Sequence, residues 1–124
     1  AEEFNLLELP NVVVHDGVYY LLVSTSRLGH MGQPDLEACK SVRIYRSASL
    51  RGPWRPYGSD GSHILLKPES RLHGLNVVND SRRTDDTLLC RAFWVGESWL
   101  PPSLLLRVGG DRPLLIRPTE LWGD

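Results

Sequence analysis

"NLLELPNVVVHDGVYYLLVST" (residues 5–25) gathers Val, Leu and Tyr on either side of His15-Asp16-Gly17. Two short β-rich runs separated by Asp-Gly are a strong short-range signal for a β-hairpin. The tight two-residue turn needs positive φ at both central positions, which Asp tolerates and Gly adopts freely. Glu8 opens the first run and is followed by Leu9-Pro10. A carboxylate at the head of an apolar strand is either a solvated charge or a functional group aimed at a cleft.

The same punctuation continues outward from the hairpin. Long 3.6-period patterns are scarce and Gly and Pro total twenty (11 and 9), so the chain reads as all-β. Residues 26–40, with Gly29, Gly32 and Pro34, read as a long loop. SVRIYRSAS (41–49) has the alternation of a half-buried strand. LRGPWRPYG (50–58) reads as a turn and a short edge strand, because its prolines cannot donate to a central ladder. Further strands are expected in LNVVND (75–80), TLLCRAFWV (87–95), PSLLLRV (102–108) and RPLLIRP (112–118), with SRRTDD as a polar turn.

Composition narrows the function classes. At 124 residues, 41% hydrophobic and 23% charged, the chain has the profile of one soluble globular domain. Fourteen basic against fifteen acidic residues leave no surplus that would favour nucleic acid. No apolar stretch approaches the roughly 20 residues that span a bilayer. The start, AEEFNLLELP, lacks the basic opening and apolar core of a signal peptide. Cys39 and Cys90 form no CxxC pair and have no histidine at metal-ligand spacing, so no metal site is expected. Cys90, within TLLCRAFW, reads as a buried thiol. Phosphate-loop, dinucleotide, nucleophile-elbow and HExxH motifs are missing, and no cofactor is implied.

Laying Asn11-Val12-Val13 on Asn76-Val77-Val78 aligns the two halves with an offset of 65 residues (76 minus 11). The expected architecture is a single domain, 1–124, of two four-stranded antiparallel units at about 9–58 and 62–118. Repeated sheets of this kind build β-propellers, so the fold expected is a partial five-bladed β-propeller. The first strand of a blade lines the central axis and its beginning opens onto the funnel. Glu8 holds that position in the first unit and His73 in the second.

Glu8-Leu9-Pro10, followed by Asp16-Gly17-Val18-Tyr19-Tyr20-Leu21-Leu22, resembles a pattern of the five-bladed glycoside hydrolases of the β-fructosidase superfamily: invertases, fructanases, levansucrases and arabinanases. Ser47-Ala48-Ser49-Leu50-Arg51-Gly52-Pro53-Trp54 is similar to their Gly-Pro-Trp blade ending. Arg71 to Val78 and Trp99 to Leu106 are comparable to two later strands, so the resemblance covers nearly the whole chain. It implies that Glu8 is the general acid/base. A glycosidic oxygen leaves poorly unless protonated, and a partly desolvated carboxyl holds a proton near neutrality. Arg27 is the nearest match to an arginine that the levansucrase branch places beside the sugar. His73 is a candidate sugar contact or a satisfied half-buried histidine. Trp54 is a candidate stacking platform or a packing residue between sheets.

The departures matter as much. A retaining mechanism needs a second carboxylate about 5 Å from the acid. In the family that aspartate, and an Arg-Asp-Pro segment, lie upstream of the glutamate. Nothing in this chain matches either, and Leu6 stands where the levansucrase branch often has another acid. The expectation is a partial fructosidase-type hydrolase, inactive alone, acting on fructosides or related furanosides once other blades are present. The alternative is a non-catalytic carbohydrate-binding or assembly module derived from a propeller. Two blades alone would leave apolar faces open along Val12–Val14, Tyr20–Val23, Leu88–Phe93 and Leu104–Leu106. The expectation is therefore a homodimer or docking on a missing propeller segment, with a compact two-sheet sandwich as the competing outcome.

Overall fold

The computed structural model of the chain describes residues 6–26, 41–58, 60–67, 70, 72–78, 86–94 and 103–116. These form nine strands: β1 (Leu6–His15), β2 (Val18–Ser26), β3 (Ser41–Ser47), β4 (Arg55–Pro56), β5 (Ile64–Leu66), β6 (Leu72–Val78), β7 (Thr87–Trp94), β8 (Ser103–Arg107) and β9 (Leu114–Ile116). The fold is all-β, as two antiparallel sheets. The 26–40 loop beyond Ser26 and most of the 81–86 turn fall outside the described residues.

The opening hairpin forms as its sequence demands. His15 pairs with Val18 across Asp16 (φ 52°) and Gly17 (φ 78°), the two positive values that a primed turn requires. The first sheet runs β1-β2-β3-β4, with β5 also on β3. β4 covers only Tyr45 and Arg46 of β3, which leaves the Val42–Arg43 stretch as an open edge. Ile64–Leu66 fills it, pairing Val42 with Leu66 and Arg43 with Ile64. The residues from 62 onward therefore do not all join the second sheet: β5 belongs to the first by hydrogen bonding. An unpaired edge donor is costly beside a core, and a three-residue return strand is enough to satisfy it. The second sheet runs β6-β7-β8-β9 in simple sequence.

Period-two alternation puts one face of each sheet into a shared core. Tyr20, Leu22, Val42, Ile44 and Tyr57 from the first sheet meet Leu75, Cys90, Ala92, Leu104, Leu106 and Val108 from the second. Of the side chains expected to line uncovered faces, Tyr20, Leu22, Cys90, Ala92, Leu104 and Leu106 are thus buried between the sheets. The other faces remain partly apolar. Val12 and Val14 are 44% and 54% exposed on the first sheet, and Leu114 is 49% exposed on the second.

The sheets are joined by polar contacts as well as by the core. β6 is an edge strand, and two of its N–H groups are taken by side chains of the first sheet. Gly74 N donates to Ser24 Oγ at 3.0 Å and Val77 N donates to Asn11 Oδ1 at 2.8 Å. Toward the opposite end of the strands, Tyr57 Oη donates to the Gly110 carbonyl at 2.8 Å and His15 Nε2 lies 2.9 Å from Asp86 Oδ1. Cys90 is fully buried, and burial pushes its thiol up to about 12, so it stays protonated and inert at neutral pH.

Candidate functional site at the heads of the inner strands

Both edge strands β1 and β6 carry the same irregularity near their beginnings. In β1 the pairing jumps from Glu8–Ser24 to Asn11–Leu22, so Leu9 and Pro10 together face one residue of β2. Pro10 has no N–H to give the ladder, and a bulge is where a strand tolerates that. In β6 the pairing jumps from His73–Phe93 to Leu75–Ala92, and Gly74 is the extra residue. The residue after each candidate is left-handed: Leu9 at φ 54° and Gly74 at φ 67°. Glu8 and His73, and Leu9 and Gly74, are each 65 residues apart, the same offset that aligns Asn11 with Asn76. The equivalence read from a three-residue match therefore extends to the backbone.

Glycine adopts this conformation freely, but leucine does not, and the cost is about 1–3 kcal/mol. Leu9 is also 45% exposed, so burial of its side chain offsets little of that strain. Strained backbone beside a carboxylate is the kind of local cost that accompanies functional positions.

Ser24 connects the two strand heads. It is the cross-strand partner of Glu8, it is buried to 1% exposure, and its hydroxyl accepts the Gly74 N–H. The backbone of His73-Gly74 is thereby held one side-chain length from the strand that pairs with Glu8. Glu8 and His73 are described here by their backbone positions, and Arg27 lies outside the described residues. Thr25 Oγ1 and Ser41 Oγ, 2.6 Å apart, close the next row of the same sheet end, and Arg43 Nε donates to Ser41 Oγ at 3.4 Å.

Trp54 is not brought to Glu8. The Glu8–Ser24–Val42 row and the Arg46–Arg55 row are four residues apart along β3, about 13 Å at roughly 3.4 Å per residue. Trp54 precedes Arg55 and packs against Gly52, whose φ is 89°. A Cβ added there would come within 3.0 Å of the Trp54 nitrogen, which explains the glycine of Gly-Pro-Trp locally. No signal in the sequence shows that Ser24, Asn11 and Tyr57 join the two sheets, although Asn11 marks the alignment of the two halves. Among the described residues no group of three or more His, Cys, Asp or Glu is placed to hold a metal ion. No helix there is long and apolar enough to cross a membrane.

Comparison with solved structures places this arrangement in a known fold. Bacillus subtilis levansucrase, as a variant in complex with oligosaccharides, superposes with a TM-score of 0.68 at 19% identity, over 93% of this chain and 28% of that chain. A further structure of the same levansucrase gives a TM-score of 0.65 at 19% identity with the same coverage. Cellvibrio cellulosa α-L-arabinanase in complex with arabinohexaose gives 0.55 at 22% identity, over 94% of this chain and 38% of that chain. Both are five-bladed propeller glycoside hydrolases, and the fold fits a fragment of that architecture. The chain spans about 28% of the length of the levansucrases it matches. No protein-family model and no curated protein matches the sequence.

Proposed function

We propose that this chain is the acid/base-bearing part of a fructosidase-type glycoside hydrolase, with Glu8 as the proton donor to the departing glycosidic oxygen. The observation that carries the reading is the head of β1. Glu8, the third residue of β1, stands directly before a strained bulge that recurs, 65 residues on, at His73-Gly74. Structural similarity to levansucrase and arabinanase supports a carbohydrate ligand, with fructosides or related furanosides as the class. In this reading His73 and Arg27 contact sugar hydroxyls, Trp54 belongs to the outer packing, and the nucleophilic carboxylate comes from another blade. Retaining chemistry needs that second group about 5 Å from the first.

By itself the chain should hydrolyse none of sucrose, levan, inulin or arabinan. Joined to blades that supply an aspartate nucleophile and an Arg-Asp-Pro segment, it should turn over one of them. Glu8→Gln should then lower turnover by about 10²–10⁴-fold, the usual contribution of a positioned general acid. Aryl furanosides with good leaving groups should be affected far less, because their departure needs no proton. Turnover of the natural substrate that survives Glu8→Gln would remove Glu8 from the mechanism, and no turnover with every blade present would favour the non-catalytic module.

The exposed face of the first sheet supports an assembly partner. Val12 and Val14 stand beside Leu21 and Tyr19 in register, on the side away from the shared core. A further blade, or a second copy of the chain, covers this face in the proposal. Sedimentation at micromolar concentration should show self-association of the isolated chain that Val12→Lys with Val14→Lys abolishes. A monomer at all concentrations would contradict the self-association.

A further inference from the structure

At the opposite end of the first sheet from Glu8, β3 and β4 place two arginines directly across from each other. Arg46 and Arg55 are register partners in this antiparallel pair. Side chains so placed have Cβ atoms about 4.5–5.5 Å apart, and like charges there repel. Among the described residues no carboxylate is paired with either guanidinium. The ion pairs found there join His15 to Asp86 and Arg112 to Asp60.

Arg46 is held in place by a neutral surface. Its guanidinium carbon lies 4.3 Å from the centroid of the Tyr57 ring, and Tyr57 is fully buried with its hydroxyl anchored on Gly110. Stacking of this kind fixes the plane of the guanidinium without neutralising its charge. Both arginines line a cleft of about 380 Å³ whose other walls are Val18, Ser47, Ala48 and Pro53. Ser47 Oγ accepts the Ser49 N–H and keeps its own hydrogen, so the cleft's charged donors are the two guanidinium groups and its other walls, Val18, Ala48 and Pro53, are apolar.

We infer that this cleft, separate from the Glu8 end, binds a small organic oxyanion. The charged head sits between Arg46 and Arg55, and an apolar body lies against Val18, Ala48 and Pro53. A planar fork of N–H donors from each side suits a carboxylate or a phosphate, and the bound anion would relieve the repulsion within the pair. Such a site does not depend on sugar chemistry at the other end.

Isothermal titration calorimetry of the intact chain with phenyl phosphate, benzoate and inorganic phosphate, at low and constant ionic strength, tests it. At least one of the two organic anions should bind saturably with a dissociation constant of about 1 mM or tighter. The better of them identifies the head group as phosphate or carboxylate. Inorganic phosphate should bind more weakly than phenyl phosphate, since it leaves the apolar walls uncovered. Arg55 is exposed on a two-residue edge strand, so Arg55→Gln should keep the fold, as an unchanged circular dichroism spectrum would verify. It should weaken binding about tenfold, the loss of one charge-assisted contact. No saturable binding of either organic anion overturns the proposal. So does binding that Arg55→Gln leaves unchanged, or inorganic phosphate binding as tightly as phenyl phosphate.

Discussion

Tyr57→Ala is expected to destabilise the chain by about 3–5 kcal/mol, the range for truncating a large buried aromatic side chain. Tyr57 is fully buried, its ring centroid is 5.6 Å from that of Tyr20, and its hydroxyl reaches across to Gly110 of the second sheet. Truncation therefore opens a cavity, leaves the Gly110 carbonyl without its donor and removes the surface on which Arg46 stacks. Against a typical total of about 5–15 kcal/mol, such a loss brings a domain of this size close to unfolding. Tyr57→Phe separates the contributions, since it keeps the ring and should cost about 1 kcal/mol. Urea titration followed by circular dichroism measures both. A cost below about 1 kcal/mol for the alanine variant would mean that the two sheets do not share one core.

Asn11→Ala should cost about 1–3 kcal/mol, because the Val77 N–H would lose its acceptor beside the core. Ser24→Ala does the same to the Gly74 N–H and should fall in the same range. These two side chains seat the free edge of β6 on the first sheet, so the variants also carry a local signature. Hydrogen exchange at Val77 should accelerate in Asn11→Ala, and at Gly74 in Ser24→Ala, before global unfolding is reached. The double variant should fall short of or exceed the sum of the singles, since both contacts position one strand. Exchange unchanged at both amides would show that packing alone, not these hydrogen bonds, holds the sheets together.

Some of this was legible in the sequence because the signals were local. Asp16-Gly17 dictates its turn by backbone sterics, and the alternation in 41–47 and 103–107 dictates strands with one buried face. The Glu8–His73 equivalence was also readable, because a repeated strand carries its register with it. What escaped depends on contacts between residues far apart in the chain. Ile64–Leu66 is too short to show a period, and it pairs with β3 because β4 leaves that edge open. Ser24 and Asn11 read as ordinary polar positions in a strand until β6 arrives 50 and 66 residues later with N–H groups to satisfy. Tyr57 meets its carbonyl partner 53 residues on. Leu9 gives no warning of its left-handed conformation, which belongs to the bulge around Pro10 rather than to leucine.

The central claim is that the head of β1, beside the head of β6, is the end of the fold that meets sugar. Titrating the isotopically labelled chain with a fructofuranosyl oligosaccharide, and separately with an arabinofuranosyl one, tests it by amide chemical shifts. The account predicts that with at least one of them the largest saturable shifts fall on Glu8, Ser24, His73 and Gly74, and that Glu8→Gln reduces them while leaving the Val18, Ser47 and Arg55 amides unmoved. Shifts confined to Val18, Ser47 and Arg55, or no saturable shift with either sugar, would contradict it.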